Sequence, residues 1–127
     1  ASAILIDTGP MLGVAKKYLE TFGLRAVYVP ADVFMEQTPP ILLSDNALFL
    51  SNYAISECGR EMQMAYITHV IKHCPRGYVR YNHHPKSKGM DSAEFAQQVE
   101  GVTGKRVTVG IEIPGSGNCV LLTWGKD

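Results

Sequence analysis

Ala3-Ile4-Leu5-Ile6-Asp7-Thr8-Gly9-Pro10 is the stretch on which the fold turns. Its first four residues are apolar without polar alternation, the pattern of a strand buried on both faces. Thr8-Gly9 breaks the run, and Pro10 stands where a helix accepts proline, at its first position. Met11, Val14, Ala15, Tyr18, Leu19 and Phe22 then recur at helical spacing, with Lys16, Lys17 and Glu20 opposite them. Gly23 reads as a left-handed cap. Arg25 to Val29 is a second strand, stopped by Pro30. Strand, helix and strand make a βαβ unit, for which a right-handed crossover is expected.

Outward from that unit, Ala31 to Asp45 carries Pro39-Pro40 and little periodicity, and reads as an internal linker. Ala47 to Leu50 is the next strand, Ser51 to Gly59 a loop, and Arg60 to Cys74 a helix. That helix has one stripe at Met64, Ile67, Ile71 and Cys74 and another at Met62, Tyr66 and Val70. Tyr78 to Asn82 is a strand, followed by the polar loop His83 to Gly89. Asp91 and Glu94 have capping-box spacing for a helix to Glu100. Val107, Val109, Ile111 and Ile113 alternate as a strand, Pro114 to Gly117 turns, and Cys119 to Leu122 is the last strand. The expected fold is α/β, a Rossmann-like three-layer arrangement with a mostly parallel sheet, residues 1–127 forming a single domain with its linker near 31–45.

Length and composition agree with one domain. At 127 residues the chain should bury roughly two-thirds of its extended surface. Apolar residues at 46% and charged residues at 19% exclude a disordered chain. Twelve basic and twelve acidic side chains cancel, so a dedicated nucleic-acid partner is not expected. The three cysteines, Cys58, Cys74 and Cys119, are widely spaced and show no CxxC, which favours reduced thiols over disulfides or structural zinc. No apolar run reaches the roughly 20 residues of a transmembrane segment, and Ala1-Ser2 does not open a secretory signal. The expectation is a soluble, cytoplasmic domain.

In open parallel sheets ligands bind beyond the carboxyl ends of the strands. That rule gathers Asp7, Ser51, Asn52, His83, His84 and Glu112 on one expected rim. The segment Asn82-His83-His84-Pro85-Lys86-Ser87-Lys88-Gly89 offers imidazoles, ammonium groups, a hydroxyl and a helix start, the donors a phosphate needs. A histidine with an ordinary pKa of about 6.5 can also protonate a phosphate leaving group. Asp7 reads either as a general base or metal carboxylate or as the cap of the helix at Pro10. Asp7-Thr8-Gly9 also matches the triad of retroviral-type aspartic proteases, which the following amphipathic helix excludes. Gly115-Ser116-Gly117 is a turn; neither GxxxxGK[ST] nor GxGxxG is present. His69 and His73 have i, i+4 metal spacing but no HExxH glutamate between them, so no metal site is expected.

Taken in order, these segments resemble the bacterial sialyltransferases and polysialyltransferases. Ile4-Leu5-Ile6-Asp7-Thr8-Gly9-Pro10 resembles their acidic motif, and Leu48-Phe49-Leu50-Ser51-Asn52 with the helix Glu61 to His73 resembles the opening of their nucleotide-binding lobe. Tyr78-Val79-Arg80-Tyr81-Asn82-His83-His84-Pro85-Lys86-Ser87 resembles their His-Pro motif, and Ile111-Glu112-Ile113-Pro114 a later strand entering a proline turn. The resemblance implies a GT-B nucleotide-binding lobe and a nucleotide-sugar-dependent glycosyltransferase, with CMP-sialic acid as donor. No separate cofactor and no metal are implied. On that reading Asp7 is the catalytic base and His84 the group on the departing phosphate. Ser51, Asn52, His83, Lys86, Ser87 and Glu112 would bind substrate. The second acidic position is Thr8 here, and a second lobe or a homo-oligomer is the expected partner.

Two alternatives stand beside it. One is a PIN-like Mg²⁺-dependent ribonuclease, whose opening the first strand and turn also resemble, with Asp7, Glu36 and Asp91 as metal carboxylates. The other is a non-enzymatic module that binds a phosphorylated ligand or assembles through a sheet edge.

Overall fold

The computed structural model describes residues 3–32, 43–111 and 119–125. The chain divides into two compact units, Ala1–Pro39 and Pro40–Asp127.

The first unit is a βαβ element: β1 (Ile4–Asp7), α1 (Gly9–Thr21) and β2 (Val27–Pro30). The two strands pair in parallel, with Ile4 opposite Val27 and Asp7 opposite Pro30. Pro10 lies in the first turn of α1, where its missing N–H costs nothing. The helix closes through Gly23, at φ 68, with the Gly23 and Leu24 N–H groups donating back to Glu20 and Leu19. That left-handed position suits glycine because it has no Cβ to clash. The single apolar stripe expected on α1 divides in two. Leu12 is buried with Ala15 and Leu19 beside it, whereas Met11, Val14, Tyr18 and Phe22 lie more than half exposed. Ile4, Leu5 and Ile6 are each half-buried, short of the two-sided burial their continuous apolar run suggests.

The second unit contains β3 (Leu48–Asn52), α2 (Ala54–Glu57), α3 (Arg60–His69), a 3₁₀ turn (Ile71–His73), β4 (Arg76–Asn82), α4 (Ser92–Thr103), β5 (Thr108–Ile111) and β6 (Cys119–Trp124). Its four strands lie in the order β3-β4-β6-β5. β3 and β4 are parallel, as a helical crossover requires, and β6 runs antiparallel to both β4 and β5. The fold class is α/β and Rossmann-like, with a mixed sheet in this unit. Alternation decides which side chains enter the core: Val79, Tyr81 and Leu122 are fully buried, whereas Leu48, Leu50 and Tyr78 face outward. Ile67, Ile71, Phe95 and Val99 complete the core from the helical side, each without exposed surface. Trp124 packs flat over its cross-strand neighbour Gly77, donates Nε1–H to the Cys74 carbonyl at 3.0 Å and stacks with Phe49.

Several boundaries differ from the sequence reading. The helix expected from Arg60 to Cys74 stops at His69, because Val70 leaves helical geometry (φ −121) and a 3₁₀ turn follows. The apolar stripe continues through Ile71 and Cys74, so periodicity does not reveal the break. The expected loop after Leu50 holds two more strand residues and the short α2. β4 begins at Arg76, and α4 runs to Thr103, past Gly101, before Gly104 (φ 67) caps it. Asp91 accepts the Glu94 N–H at 2.8 Å, but Glu94 turns to Arg60 instead of completing the capping box. Ile113 and the Pro114 to Gly117 turn lie outside the described residues. Among the described residues no helix is long and apolar enough to cross a membrane.

Candidate functional site

The parallel pair β3–β4 has its carboxyl ends at Asn52 and Asn82, where an open α/β sheet offers its ligand-facing rim. After β3 the chain turns through Tyr53, a non-glycine residue in left-handed backbone (φ 66, ψ −23). That conformation costs an aromatic residue about 1–3 kcal/mol and persists only where neighbours hold it. Here the Tyr53 N–H donates to the Arg80 carbonyl (2.9 Å), and its own carbonyl accepts from the Ser56 hydroxyl (2.6 Å). The Arg80 guanidinium sits 4.7 Å from the centre of the Tyr53 ring, a cation–π contact. Asn52 is exposed and stands beside Arg80 in the strand register. Ser51 is buried, and its Oγ accepts the Ile55 N–H at 3.1 Å, which ties it to the start of α2.

Behind this rim lies a buried polar cluster. Gln63, fully buried on α3, donates through Nε2 to the Ile55 carbonyl (3.0 Å) and the Tyr81 hydroxyl (2.8 Å). Its Oε1 accepts the Met90 N–H at 2.7 Å, and the Tyr81 hydroxyl donates to the Met90 carbonyl at 2.5 Å. Burial pushes the Tyr81 hydroxyl up to about 12. Gly89 lies so close that a Cβ there would stand 2.5 Å from the Cys58 carbonyl and 2.9 Å from the Gln63 amide. Sequence reading missed both Gln63 and Tyr81. The available signal was a glutamine in step with Tyr66, Ile67 and Val70 on an apolar helix face.

The loop after β4 does not form the phosphate cradle its composition suggests. His84 is exposed, and its Nδ1 accepts the Lys86 N–H at 3.1 Å. The Ser87 N–H donates to the His84 carbonyl (2.8 Å), and the half-buried Ser87 accepts the Gly89 N–H through Oγ (3.1 Å). With Met90 bonded to Gln63, the N–H groups an anion would require at Lys86, Ser87, Gly89 and Met90 are committed inside the protein. The Lys86 side chain is exposed. His83 is half-buried, and its Nδ1 is shielded from solvent without a hydrogen-bond partner.

Asp7 belongs to the first unit, where it is exposed at the carboxyl end of β1. Its Oδ1 accepts the Thr8 N–H at 2.7 Å, while Thr8 is the N-cap of α1 and makes no side-chain cap bond. Asp7 is therefore not the helix cap. Glu112 and Glu36 lie outside the described residues, and Asp91 is engaged as the cap of α4. Among the described residues no group of three or more His, Cys, Asp or Glu side chains is placed to hold a metal ion. Two concavities lie away from the rim. One, of about 300 Å³, is lined by Lys72, His73, Lys105 and Thr103 among others. The other is a groove of about 600 Å³ over Leu48, Leu50, Tyr78 and Thr123.

No protein-family model and no curated protein matches the sequence. Solved structures do share the fold. LaPhzM superimposes with a TM-score of 0.58 at 13% identity, over 98% of this chain and 42% of its own. The methyltransferase CalO6 gives 0.56 at 12% identity, over 95% of this chain and 48% of its own. LepI in complex with SAM gives 0.51 at 9% identity, over 100% of this chain and 37% of its own. At these identities the likeness is one of fold, and the chain spans less than half the length of each of these structures.

These likenesses overturn the sialyltransferase resemblance and, with it, the GT-B lobe, the glycosyltransferase activity and the nucleotide-sugar donor. A strand, a Gly-Pro turn and a helix belong to many parallel α/β folds, so those motifs do not single out one family. The His83–Gly89 loop spends its Lys86, Ser87 and Gly89 N–H groups on its own turn bonds, which weakens the phosphate site on which that reading leaned. Neither the PIN-like ribonuclease nor the non-enzymatic module gains support in its place.

Proposed function

We propose that this protein binds S-adenosylmethionine and serves methyl transfer. The observation that carries this reading is the shared fold across nearly the whole chain, with one structure named as a methyltransferase and another holding SAM. Bound SAM supplies a sulfonium methyl group, and the protein's task is to hold it in line with an acceptor atom and exclude water.

Each unit, taken by itself, carries residues suited to a ligand. In the first unit, Asp7 is an exposed carboxylate at the carboxyl end of a parallel strand, the side on which open α/β sheets bind their ligands. The Thr8 N–H fixes one carboxylate oxygen, which orients the other for a ribose hydroxyl. In the second unit, Asn52, Tyr53, Arg80 and His83 present amide, aromatic, cationic and imidazole groups at the carboxyl ends of β3 and β4. These are groups that orient a polar acceptor. The sequence carries no GxGxxG turn, so Asp7 is the residue on which the donor reading is tested.

Isothermal titration of the chain with SAM and with S-adenosylhomocysteine supplies that test. Saturable binding is expected, weakened at least tenfold by Asp7→Ala, since hydrogen bonds to a charged group contribute about 1.5–3 kcal/mol. Absence of heat with either ligand, together with an unchanged Tm, would sink the reading.

A further inference from the structure

We infer that Gln63 and Tyr81 are positioning residues that lock the loop after β3 and the loop after β4 into one rigid rim. The inference rests on reading that rim as ligand-facing. Its geometry rests on hydrogen bonds and one close contact.

The Gln63 side chain touches both loops at once. Through Nε2 it holds the Ile55 carbonyl, in the segment that follows β3, and the Tyr81 hydroxyl on β4. Through Oε1 it holds the Met90 N–H, which closes the segment that follows β4. Tyr81 returns its own proton to the Met90 carbonyl, so both polar groups of the Met90 backbone are held by this pair of side chains. All three residues are essentially without exposed surface, so water cannot replace a lost partner. Gly89 adds a steric contact, since the two loops meet there too closely for any side chain. Loosening either loop breaks the bonds that hold the other. Tyr53 in its strained backbone and His83 with its shielded Nδ1 are thereby supported by one common element.

The test compares the unmodified chain with Tyr81→Phe and Gln63→Met, both close in volume to the originals. Amide hydrogen exchange is read at residues 53–58 and 83–90, with core amides of Val99 and Leu122 as the reference. In each variant both loops should exchange at least tenfold faster, together, while the reference amides keep their slow rates. Acceleration in one loop alone, in neither, or uniformly across the unit overturns the inference. Should Gln63→Met fail to fold, Tyr81→Phe, which removes only a hydroxyl, decides. Calorimetry with SAM adds a second readout. If the unmodified chain binds SAM, Tyr81→Phe should weaken it about tenfold, and unchanged affinity overturns the positioning role. If the unmodified chain does not bind SAM, the proposed function fails and the coupling of the loops is judged by exchange alone.

Discussion

Two helices, α1 in the first unit and α4 in the second, carry similar apolar periodicity and meet different fates. On α4, Phe95, Ala96 and Val99 are buried, the helix packing on α3 and the 3₁₀ turn and Phe95 meeting Tyr81 of the sheet at 5.1 Å. On α1, Leu12 is buried, while Met11, Val14, Tyr18 and Phe22 form an i, i+3, i+7, i+11 stripe that stays more than half exposed. Periodicity states which residues share a face of a helix. It does not state whether anything covers that face. The second unit has a filled core in which Gln63 and Tyr81 bond each other and Met90, so its residues are energetically coupled to many neighbours. The described part of the first unit relies on local structure: a proline start, a glycine stop and the Tyr18–Phe22 ring pair at 5.0 Å.

Substitutions can break or sharpen this contrast, and the largest effect is expected in the α4 core. Phe95→Ala should cost about 3–5 kcal/mol in chemical denaturation, as large core truncations do, whereas Phe22→Ala should cost under about 1 kcal/mol. Equal costs would mean that the exposed stripe of α1 is buried in solution. Next comes Gly77→Ala, whose Cβ would fall 2.0 Å from the Trp124 ring. Trp124 is held by its bond to Cys74, so a loss of about 3 kcal/mol is expected, with the tryptophan fluorescence altered.

Alkaline titration should strike the second unit as well. Burial raises the Cys74 thiol from 9.0 to about 11 and the Tyr81 hydroxyl from 10.0 to about 12. The unfolded chain releases these protons first, so the contribution of both groups is intact below pH 9 and is lost as pH rises toward 12. The Tm should fall across that window, and Cys74→Ala should flatten its lower part. A Tm that is flat from pH 9 to 12 would contradict the burial of both groups.

Smaller effects separate the helix starts and interiors. Asp91→Ala should cost about 1 kcal/mol, because the carboxylate caps α4, while Thr8→Ala should cost only a few tenths, because Thr8 makes no cap bond. Gly13→Ala sits in the interior of α1 with nothing within 4 Å of the added methyl. It should stabilise the first unit by up to about 1 kcal/mol, read as a small rise in Tm.

Much of the secondary structure was legible because it is written in local chemistry. The Thr8-Gly9-Pro10 turn, the Gly23 stop and the Asp91 cap each act within a few residues of their own position. Strand direction was less legible. The alternation Val107, Val109, Ile111 marks a strand but does not say that β6 lies between β4 and β5, since burial pattern specifies a face and not a neighbour. The candidate site was the least legible part. Ser51, Asn52, His83 and His84 do flank the carboxyl ends of β3 and β4, because that follows from strand order alone. The basic loop looked like an anion cradle because its composition is visible while the direction of its N–H groups is not. Gln63 and Tyr81 were given no role for the same reason.

By itself, the order of residues determined an α/β chain of alternating strands and helices, where most of these elements begin, and which polar side chains follow a strand. Those properties depend on steric and hydrogen-bonding preferences that act over one or two turns. Tertiary structure alone decided that the Met90 N–H goes to Gln63, that Gln63 also meets Tyr81, and that Leu12 rather than Tyr18 is the buried face of α1. Each of these depends on groups distant in sequence competing for the same space or the same hydrogen bond, and a local pattern carries no record of which one prevails.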